Sequence, residues 1–326
     1  MVPTFRYHLF DKVLVSDLEH LLLEPFNGQE IANGNVVTLR LSQEVVYPEG
    51  EAVFDNPNFD LKILYDGSKS LFVMNPFSVV AVVASDGLTV TLHPTDYSRP
   101  IDTKAQKALD ARIVTWVLSR IPILWGSPAI HGANLSFEQG SLLLLGQSGA
   151  GKSTLSQHLS KKHGATINDD DTSLVKLGTS PTVLVPMGAA DRVRQDAAAA
   201  LGLSGRLLEG YAGAKIALSK GPNPLSIQPA SLCAIVEIVQ LKSPGTADRA
   251  STPDLVRMSA GAAMLSYHLH FFQTDLRSTQ REMIFSAAQQ LAQIPTWRIT
   301  YVKGVHGPGQ VSQQIYEQFL GSSIEK

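Results

Sequence analysis

The chain has 326 residues, of which 44% are hydrophobic and 17% charged, a composition typical of a globular protein with a sizeable core. Its 27 basic and 29 acidic side chains leave a net charge of −2, which disfavours nucleic acid or an anionic membrane surface as a partner. No apolar run approaches the roughly 18 residues of a membrane span, and no signal-peptide pattern opens the chain, so we expect a cytoplasmic protein without a membrane partner.

The first hundred residues are predicted to form a β-rich region. Residues 36–41, VVTLRL, are rich in β-branched side chains, which strands favour. Two Asp-Gly pairs, at 66–67 and 86–87, each lie between apolar runs and predict β-hairpins. Polar residues then interrupt this pattern. We therefore divide the chain into a β-rich N-terminal region at 1–103 and a second domain at 104–326.

A helix and then a hairpin are predicted at the start of the second domain. Apolar residues recur at spacings of three and four over 104–121, and this helix must end before Pro122. Residues 127–137 and 141–146, joined by the segment EQG, predict two paired strands. The second of these strands runs directly into a glycine-rich loop.

A helix and a short strand are predicted after the glycine-rich loop. The helix covers 152–163, with Leu155 and Leu159 on one face and Gly164 as the residue that ends it. The strand covers 165–169, ATIND, and carries aspartates at its carboxyl end. Later elements are predicted as a helix at 190–202, a buried strand at 231–241, a helix at 260–272, a strand at 298–304 and a helix at 309–320.

The single cysteine, Cys233, lies within the strand predicted at 231–241. One thiol cannot form an internal disulfide, and none of the usual metal-ligand spacings is available to it. We therefore expect Cys233 to be a small buried side chain.

The glycine-rich loop carries a phosphate-binding motif. Gly146, Gly151, Lys152 and Ser153 match G-x-x-x-x-G-K-[ST], between a predicted strand and a predicted helix. Glycines let backbone N–H groups turn onto phosphate oxygens, the lysine reaches the β- and γ-phosphates, and the serine hydroxyl ligates Mg²⁺. The nucleotide site is predicted to comprise Gly146, Ser148, Gly149, Ala150, Gly151, Lys152, Ser153 and Thr154.

Three consecutive aspartates, Asp169, Asp170 and Asp171, follow the motif after about twenty residues. They could form a solvated turn at the end of a strand. Alternatively, a strand that follows the helix and lies beside the glycine-loop strand presents its carboxyl end near the γ-phosphate. Carboxylates at that place could hold a metal ion or accept a proton from a nucleophile.

His131 is a further candidate, because it lies on the strand predicted to pair with the glycine-loop strand. A lone histidine on such a strand is often a packed core residue. If the hairpin is formed, however, its ring lies close to the aspartates, and a carboxylate–imidazole pair would suit proton transfer near neutral pH.

The order HG…LLLLGQSGAGKSTL…HGATINDDD resembles the catalytic domain of HPr kinase/phosphorylase and of the shorter HPr serine kinase-like proteins, over residues 125–320. The resemblance implies an α/β P-loop kinase domain of the HPr kinase type, with a mixed sheet and a fold related to phosphoenolpyruvate carboxykinase. Before it lies a smaller β-rich region, as in the shorter relatives.

The resemblance also implies roles for the site residues. Lys152 and Ser153 match the phosphate lysine and the metal-binding hydroxyl. Asp170 becomes the catalytic base, Asp171 a metal ligand and His131 the partner of the base. The extra Asp169 leaves open which of the three acids is the base and which the metal ligand.

The implied function is an ATP- and Mg²⁺-dependent kinase whose acceptor is a hydroxyl, expected to be a serine of a peptide or protein such as a precursor peptide or carrier protein. A small-molecule kinase of the same superfamily and a nucleotide-switched ATPase or regulator are the alternatives. The chain lacks an L-S-G-G-Q signature, and Glu237 lies inside a predicted strand, both of which argue against the ATPase. The oligomeric state stays open.

Three further cations are candidates for phosphate contact. Arg192, Arg194 and Lys215 follow the aspartates in the chain, but their match to the family is weak. Long cationic side chains are mostly exposed in folded proteins, so the favoured interpretation of each is an ordinary surface cation.

Overall fold

The structure, a computed structural model, describes residues 4–20, 22–23, 25–26, 36–56, 61–74, 77–95, 109–208, 215–218, 230–241, 252–272 and 278–324. Within these residues the chain is a mixed α/β protein with a β-rich N-terminal region and two further sheets. The expected fold class is confirmed at this level.

An eight-stranded sheet forms the N-terminal region. Its strands are β1 (Phe5–Leu9), β2 (Lys12–Ser16), β3 (Val36–Leu41), β4 (Glu51–Asn56), β5 (Leu61–Tyr65), β6 (Ser70–Met74), β7 (Val79–Val83) and β8 (Thr89–Pro94). Their order is β1-β2-β3-β8-β7-β6-β5-β4, and β3 pairs in parallel with both of its neighbours. The hairpins predicted at 66–67 and 86–87 are confirmed as β5–β6 and β7–β8.

The rest of the chain contributes twelve strands. They are β9 (Ala129–His131), β10 (Ala133–Phe137), β11 (Gly140–Leu145), β12 (Thr166–Asp169), β13 (Thr172–Lys176), β14 (Val183–Pro186), β15 (Asp191–Arg194), β16 (Arg206–Leu208), β17 (Lys215–Leu218), β18 (Ala230–Leu241), β19 (Asp254–Arg257) and β20 (Thr296–Val302). Nine of them form a mixed sheet centred on β18, and β15, β17 and β16 form a small third sheet.

Helices cover both faces of the nine-stranded sheet. On these faces lie α1 (Lys152–His163), α3 (Ala260–His268), α4 (Ser278–Leu291) and α5 (Pro308–Ile324), whereas the short helix α2 (Gln195–Ala200) packs on the small third sheet. Because side chains alternate along a strand, β18 buries Val236 and Ile238 against α1 and α5, and Ile235 against α3 and α4. The result is a three-layer arrangement with the glycine-rich loop at the start of α1.

The N-terminal sheet shares its core with the second part of the chain. One apolar cluster contains Leu39 and Phe72 of this sheet, Trp116 of the following helical segment, Leu174 of β13, and Met187, which follows β14. The boundary predicted at residues 103 and 104 lies outside the described residues. The shared core means that the two parts bury apolar surface against each other.

The segment predicted as a helix at 104–121 is helical where it is described, but not as one regular helix. Ile113–Leu118 forms a π-helix, and Ile121–Trp125 forms a separate 3₁₀-helix with Pro122 in its first turn. Proline has no N–H to donate within a helix but is tolerated in a first turn, so the chain restarts here.

Several other predicted elements are confirmed, with shifted ends. Helix α1 ends at Gly164 as expected, and β18, β20 and α5 lie where the sequence predicts them. The helix predicted at 190–202 begins only at Gln195, because β15 pairs with β17 instead. The helix predicted at 260–272 ends at His268. Cys233 lies on β18 as expected but is only partly buried, so its predicted full burial is wrong.

A buried polar triad joins the N-terminal sheet to the helical segment. The Asp110 carboxylate accepts a hydrogen bond from His20 Nδ1 at 2.6 Å, and the Ser16 hydroxyl lies 3.0 Å from His20 Nε2. All three side chains are buried. Removing one partner of such a pair leaves the other buried without compensation, which is costly.

We expect Asp110→Ala to lower the free energy of unfolding by about 3 kcal/mol, because the His20 N–H loses its buried acceptor. The matched control is Asp196→Ala, since Asp196 pairs with Arg194 in solvent. That exposed pair should cost less than about 1 kcal/mol. Urea unfolding of both variants measures the difference. Equal losses would contradict a special role for the buried triad.

Candidate functional site

The glycine-rich loop at 146–151 connects the end of β11 to α1, as the motif predicts. A Cβ on Gly146 would lie 2.8 Å from the Ile238 carbonyl oxygen, so only glycine fits there. Gly151 precedes α1 with φ +94°, a conformation that favours glycine. The loop is therefore held close to β18 and opens onto the N-terminus of a helix.

The aspartates lie at the same edge of the sheet as this loop, although by a different pairing than expected. Strand β12 pairs with β10 and not with β11. Since β12 and β11 are both antiparallel to β10, they run in the same direction, and their carboxyl ends meet at one edge. The prediction of a shared edge is confirmed, while the predicted neighbour of β12 is wrong.

Lys152, the first residue of α1, is buried behind the loop. Its Nζ donates to the Gly146 carbonyl at 2.6 Å and lies 3.1 Å from His131 Nε2. Burial lowers the pKa of Lys152 to about 8, against the opposing effect of Asp171 and Asp170. The ammonium therefore lies between the loop and the aspartates.

Asp169 shapes the turn that carries the other two acids. Its Oδ1 accepts the N–H groups of Asp171 at 2.9 Å and Thr172 at 3.0 Å, and its Oδ2 accepts that of Gly188 at 3.2 Å. The side chain is fully buried. Asp169 thus holds backbone amides, which is the role of a structural carboxylate.

Asp170 is a buried carboxylate with one oxygen left over. Its Oδ2 accepts a hydrogen bond from the backbone N–H of Arg192 at 2.8 Å. Its Oδ1 is buried and has no hydrogen-bond partner among the described residues. Burial and the nearby charge of Asp191 raise its pKa from 3.8 to about 7. The group can therefore gain or lose a proton near neutral pH.

Asp171 is only partly buried and forms an ion pair with Arg192. Burial opposes its ionisation, but the charge and the hydrogen bond of Arg192 outweigh this effect and hold the pKa of its carboxyl well below its usual range. Neighbouring residues of one turn thus have opposite pKa shifts, a pattern typical of sites with separate roles for two acids.

His131 contacts Asp171 and Lys152. Its Nδ1 donates to the Asp171 backbone carbonyl at 2.9 Å, which leaves Nε2 to accept from Lys152. Burial and the charge of Lys152 lower its pKa to about 4, so the ring is neutral at pH 7. Because both nitrogens are engaged in this way, the ring does not form the pair with Asp170 that the resemblance implies.

The strand assigned to His131 also needs correction. The chain bends at Gly132, so His131 belongs to β9, which pairs with β13, and the strand that forms the hairpin with β11 is β10. The prediction that His131 lies on the strand paired with the glycine-loop strand is therefore wrong. The ring still reaches the aspartates, because β13 begins immediately after them.

The favoured interpretation of Arg192 as a surface cation is wrong, because its side chain is 4% exposed. Lys215 is half-buried, and burial and Arg192 lower its pKa. Arg194 does lie in solvent, where it pairs with Asp196. Lys152, Arg192 and Lys215, here called the basic cluster, influence one another's charges at this site.

The burial of Asp191 and Arg192 is not predicted, because the sequence favours a helix where β15 forms. Alternate residues of a strand face the same side of the sheet, so the side chains of Arg192 and Arg194 leave β15 on one face. Arg192 is buried there, whereas Arg194 ends the strand at the start of α2 and is exposed. The alternation of arginine and valine in RVR was the available signal for a strand, but the alanines after it favour a helix.

The predicted loop residues and Ser153 lie together at the start of α1. Ser148 and Gly149 are exposed at the tip of the loop, Ala150 is buried, and Ser153 and Thr154 are half-buried in the first turn of the helix. Within the described residues, no group of three or more His, Cys, Asp or Glu side chains could hold a metal ion. A metal here would need ligands from elsewhere as well.

The chain has a distant likeness to solved structures. No family model matches the chain, and no curated protein matches it. Among solved structures it is similar to the HPr(Ser) kinase/phosphatase from Coxiella burnetii, at 13% identity over 59% of this chain and 97% of that chain, with a TM-score of 0.30. So low a TM-score supports no argument about function. No helix in the described part of the chain is long and apolar enough to cross a membrane.

We expect Asp170 to make stability depend on pH. Its pKa is higher in the folded chain, about 7, than the 3.8 of an unfolded aspartate, so folding binds a proton between those values. Stability relative to Asp170→Asn should therefore fall as the pH rises through this interval and then level off. Urea unfolding over a pH series, without nucleotide or metal, measures it.

The control for this pH series is Asp196→Asn. Asp196 is exposed, and its pKa is lowered by Arg194, so wild type should not lose stability relative to this variant as the pH rises. Parallel curves for wild type and Asp170→Asn would contradict the raised pKa.

Proposed function

We propose that this protein is an ATP- and Mg²⁺-dependent kinase that transfers the γ-phosphate to a serine hydroxyl of a peptide or protein. The observation that carries the proposal is the buried Asp170 carboxylate, whose Oδ1 has no partner among the described residues. It lies near enough for its charge to act on Lys152, directly after the glycine-rich loop. A proton acceptor and a phosphate cradle thus share one site.

The cradle is suited to a nucleotide triphosphate. The N-terminus of α1 offers free backbone N–H groups and partial positive charge to phosphate oxygens. Lys152 now donates to the Gly146 carbonyl, and it would exchange that acceptor for the terminal phosphates. Arg192 and Lys215 of the basic cluster add charge on the side of the aspartates.

The residues fit Mg²⁺. This ion is typically held by one or two carboxylates together with substrate phosphates and water, which agrees with a site lacking a complete protein cage. Ser153 and Asp171 would hold it, and Asp171 would then share its carboxylate with Arg192. When bound, Mg²⁺ supplies neutralisation of phosphate charge.

The proton step falls to Asp170. Its Oδ2 is held by the backbone N–H of Arg192, so Oδ1 is the oxygen that would accept from the acceptor hydroxyl. As the hydroxyl oxygen bonds to the γ-phosphorus, its proton passes to Oδ1 and the bond from phosphorus to ADP breaks. A pKa of about 7 lets Asp170 accept this proton and release it again.

His131 acts on the phosphate side in this proposal. As a neutral ring it accepts a hydrogen bond from Lys152, and its other nitrogen is anchored on the backbone of Asp171. It therefore positions the lysine between the loop and the aspartates. This role replaces the one expected for it as the partner of the base.

The acceptor class rests on the order of motifs in the sequence. That order resembles kinases acting on serine in a protein, and the shorter relatives suggest a precursor peptide or a carrier protein. A small-molecule acceptor and simple ATP hydrolysis use the same cradle and base. Phosphate transfer to serine peptides, compared with release of free phosphate, separates these possibilities.

We expect Lys152→Ala to abolish transfer and to weaken ATP·Mg²⁺ binding, because the motif directs this cation at the terminal phosphates. Calorimetry and transfer from ATP to a library of serine peptides measure the two effects. Lys162→Ala, on the exposed last turn of the same helix, is the control and should leave both unchanged. Unchanged binding and turnover in Lys152→Ala would contradict the assignment of the nucleotide site to the glycine-rich loop.

We expect Asp170→Asn and Asp171→Asn to behave differently. Without its base, Asp170→Asn should transfer phosphate roughly 10² to 10⁴ times more slowly while its ATP affinity barely changes. Asp171→Asn should instead need a higher Mg²⁺ concentration for the same rate. Single-turnover transfer and Mg²⁺ titrations measure this, with Asp196→Asn as the control. Matching phenotypes would mean that the two acids act as a unit.

A further inference from the structure

A tyrosine outside the motif contacts the glycine-rich loop from behind. Tyr301 lies on β20 and is 7% exposed. Its hydroxyl donates to the Ala150 carbonyl at 3.0 Å, and it accepts a hydrogen bond from Gln240 Nε2 at 2.8 Å. Because the Gln240 amide is the donor to this oxygen, the one hydroxyl proton is directed at the loop.

The same hydroxyl also faces the next residue of the loop. A Cβ on Gly151 would lie 2.6 Å from the Tyr301 hydroxyl oxygen, and the next nearest atom, Tyr301 Cζ, is 3.8 Å away. The oxygen therefore takes up the space that any other side chain at Gly151 would need. One hydroxyl therefore bonds Ala150 and restricts the next position to glycine.

This contact sets the direction of an amide in the loop. A trans peptide is planar, and its C=O and N–H groups point in opposite directions. Since the Ala150 carbonyl points at Tyr301, the N–H of Gly151 in the same peptide must point away from β20. Burial raises the pKa of Tyr301, so the hydroxyl keeps the proton that it donates.

We infer that Tyr301, oriented by Gln240, is a positioning residue that holds the Ala150–Gly151 peptide in the orientation that binds phosphate. The inference rests on the proposed function, because it assigns the loop to a nucleotide. Tyr301 touches no reacting atom and acts through the loop. Loss of the hydroxyl would let the peptide rotate, and a smaller share of molecules would then be ready to bind.

The direct test is Tyr301→Phe, which keeps the ring in the core formed with Trp297 and Ile299 and removes only the hydroxyl. We expect ATP·Mg²⁺ to bind about ten-fold more weakly, the usual scale for one buried hydrogen bond. The transfer rate at saturating ATP should change little. The control is Tyr267→Phe, which removes a buried hydroxyl bonded to Thr296 on the opposite face of the sheet.

Gln240→Glu tests the orientation of the hydroxyl. A carboxylate at this position would accept a hydrogen bond from the Tyr301 hydroxyl, which would then no longer donate to the Ala150 carbonyl. The variant should therefore lose a similar amount of ATP affinity, and adding Tyr301→Phe to it should cost nothing more. Additive losses would mean that the two side chains do not act through one hydrogen bond, which would overturn the inference.

Amide hydrogen exchange of the loop, measured without nucleotide, separates this inference from the proposed function. Exchange at 147–151 should be faster in Tyr301→Phe than in wild type or Tyr267→Phe. If wild type binds no ATP, the proposed function fails, while faster exchange still supports the positioning role. Unchanged exchange, or a lower melting temperature with unchanged ATP affinity, would overturn the inference.

Discussion

The arrangement of the site depends on one buried carboxylate, which accepts backbone N–H groups from three residues. Asp169 accepts the N–H groups of Asp171, Thr172 and Gly188, so it closes the turn and ties it to the chain that leads into β15. A buried carboxylate needs such hydrogen bonds, and these bonds hold the turn in one conformation. The directions in which Asp170 and Asp171 point follow from it.

The segment from Met187 to Arg192 connects the aspartates to the N-terminal region. On one side the Arg192 N–H holds Asp170, and on the other the Ala190 N–H donates to the Leu22 carbonyl at 2.8 Å. The N-terminal sheet is therefore attached to the site through backbone hydrogen bonds as well as through the shared core.

The sequence predicts the parts of the site that are close together in the chain. The glycine-rich loop, Lys152 and the aspartates fall within some twenty-five residues, and strand direction alone brings them to one edge. Arg192 and the partners of His131 depend on the pairing of β15 with β17 and of β9 with β13, between residues far apart in the chain. Local propensity, here that of the alanine run after Arg194, contains no information about such pairing.

Charge is the last constraint that connects these parts. The basic cluster lies close to Asp170 and Asp171, whose charges offset part of its positive charge. A triphosphate entering this site would meet Asp171, which is ionised at neutral pH. Like charges at short range repel, and more strongly where water is partly excluded. In the proposed function, a divalent cation held by Asp171 would offset this repulsion, a reason for Mg²⁺ that comes from the charges of the site.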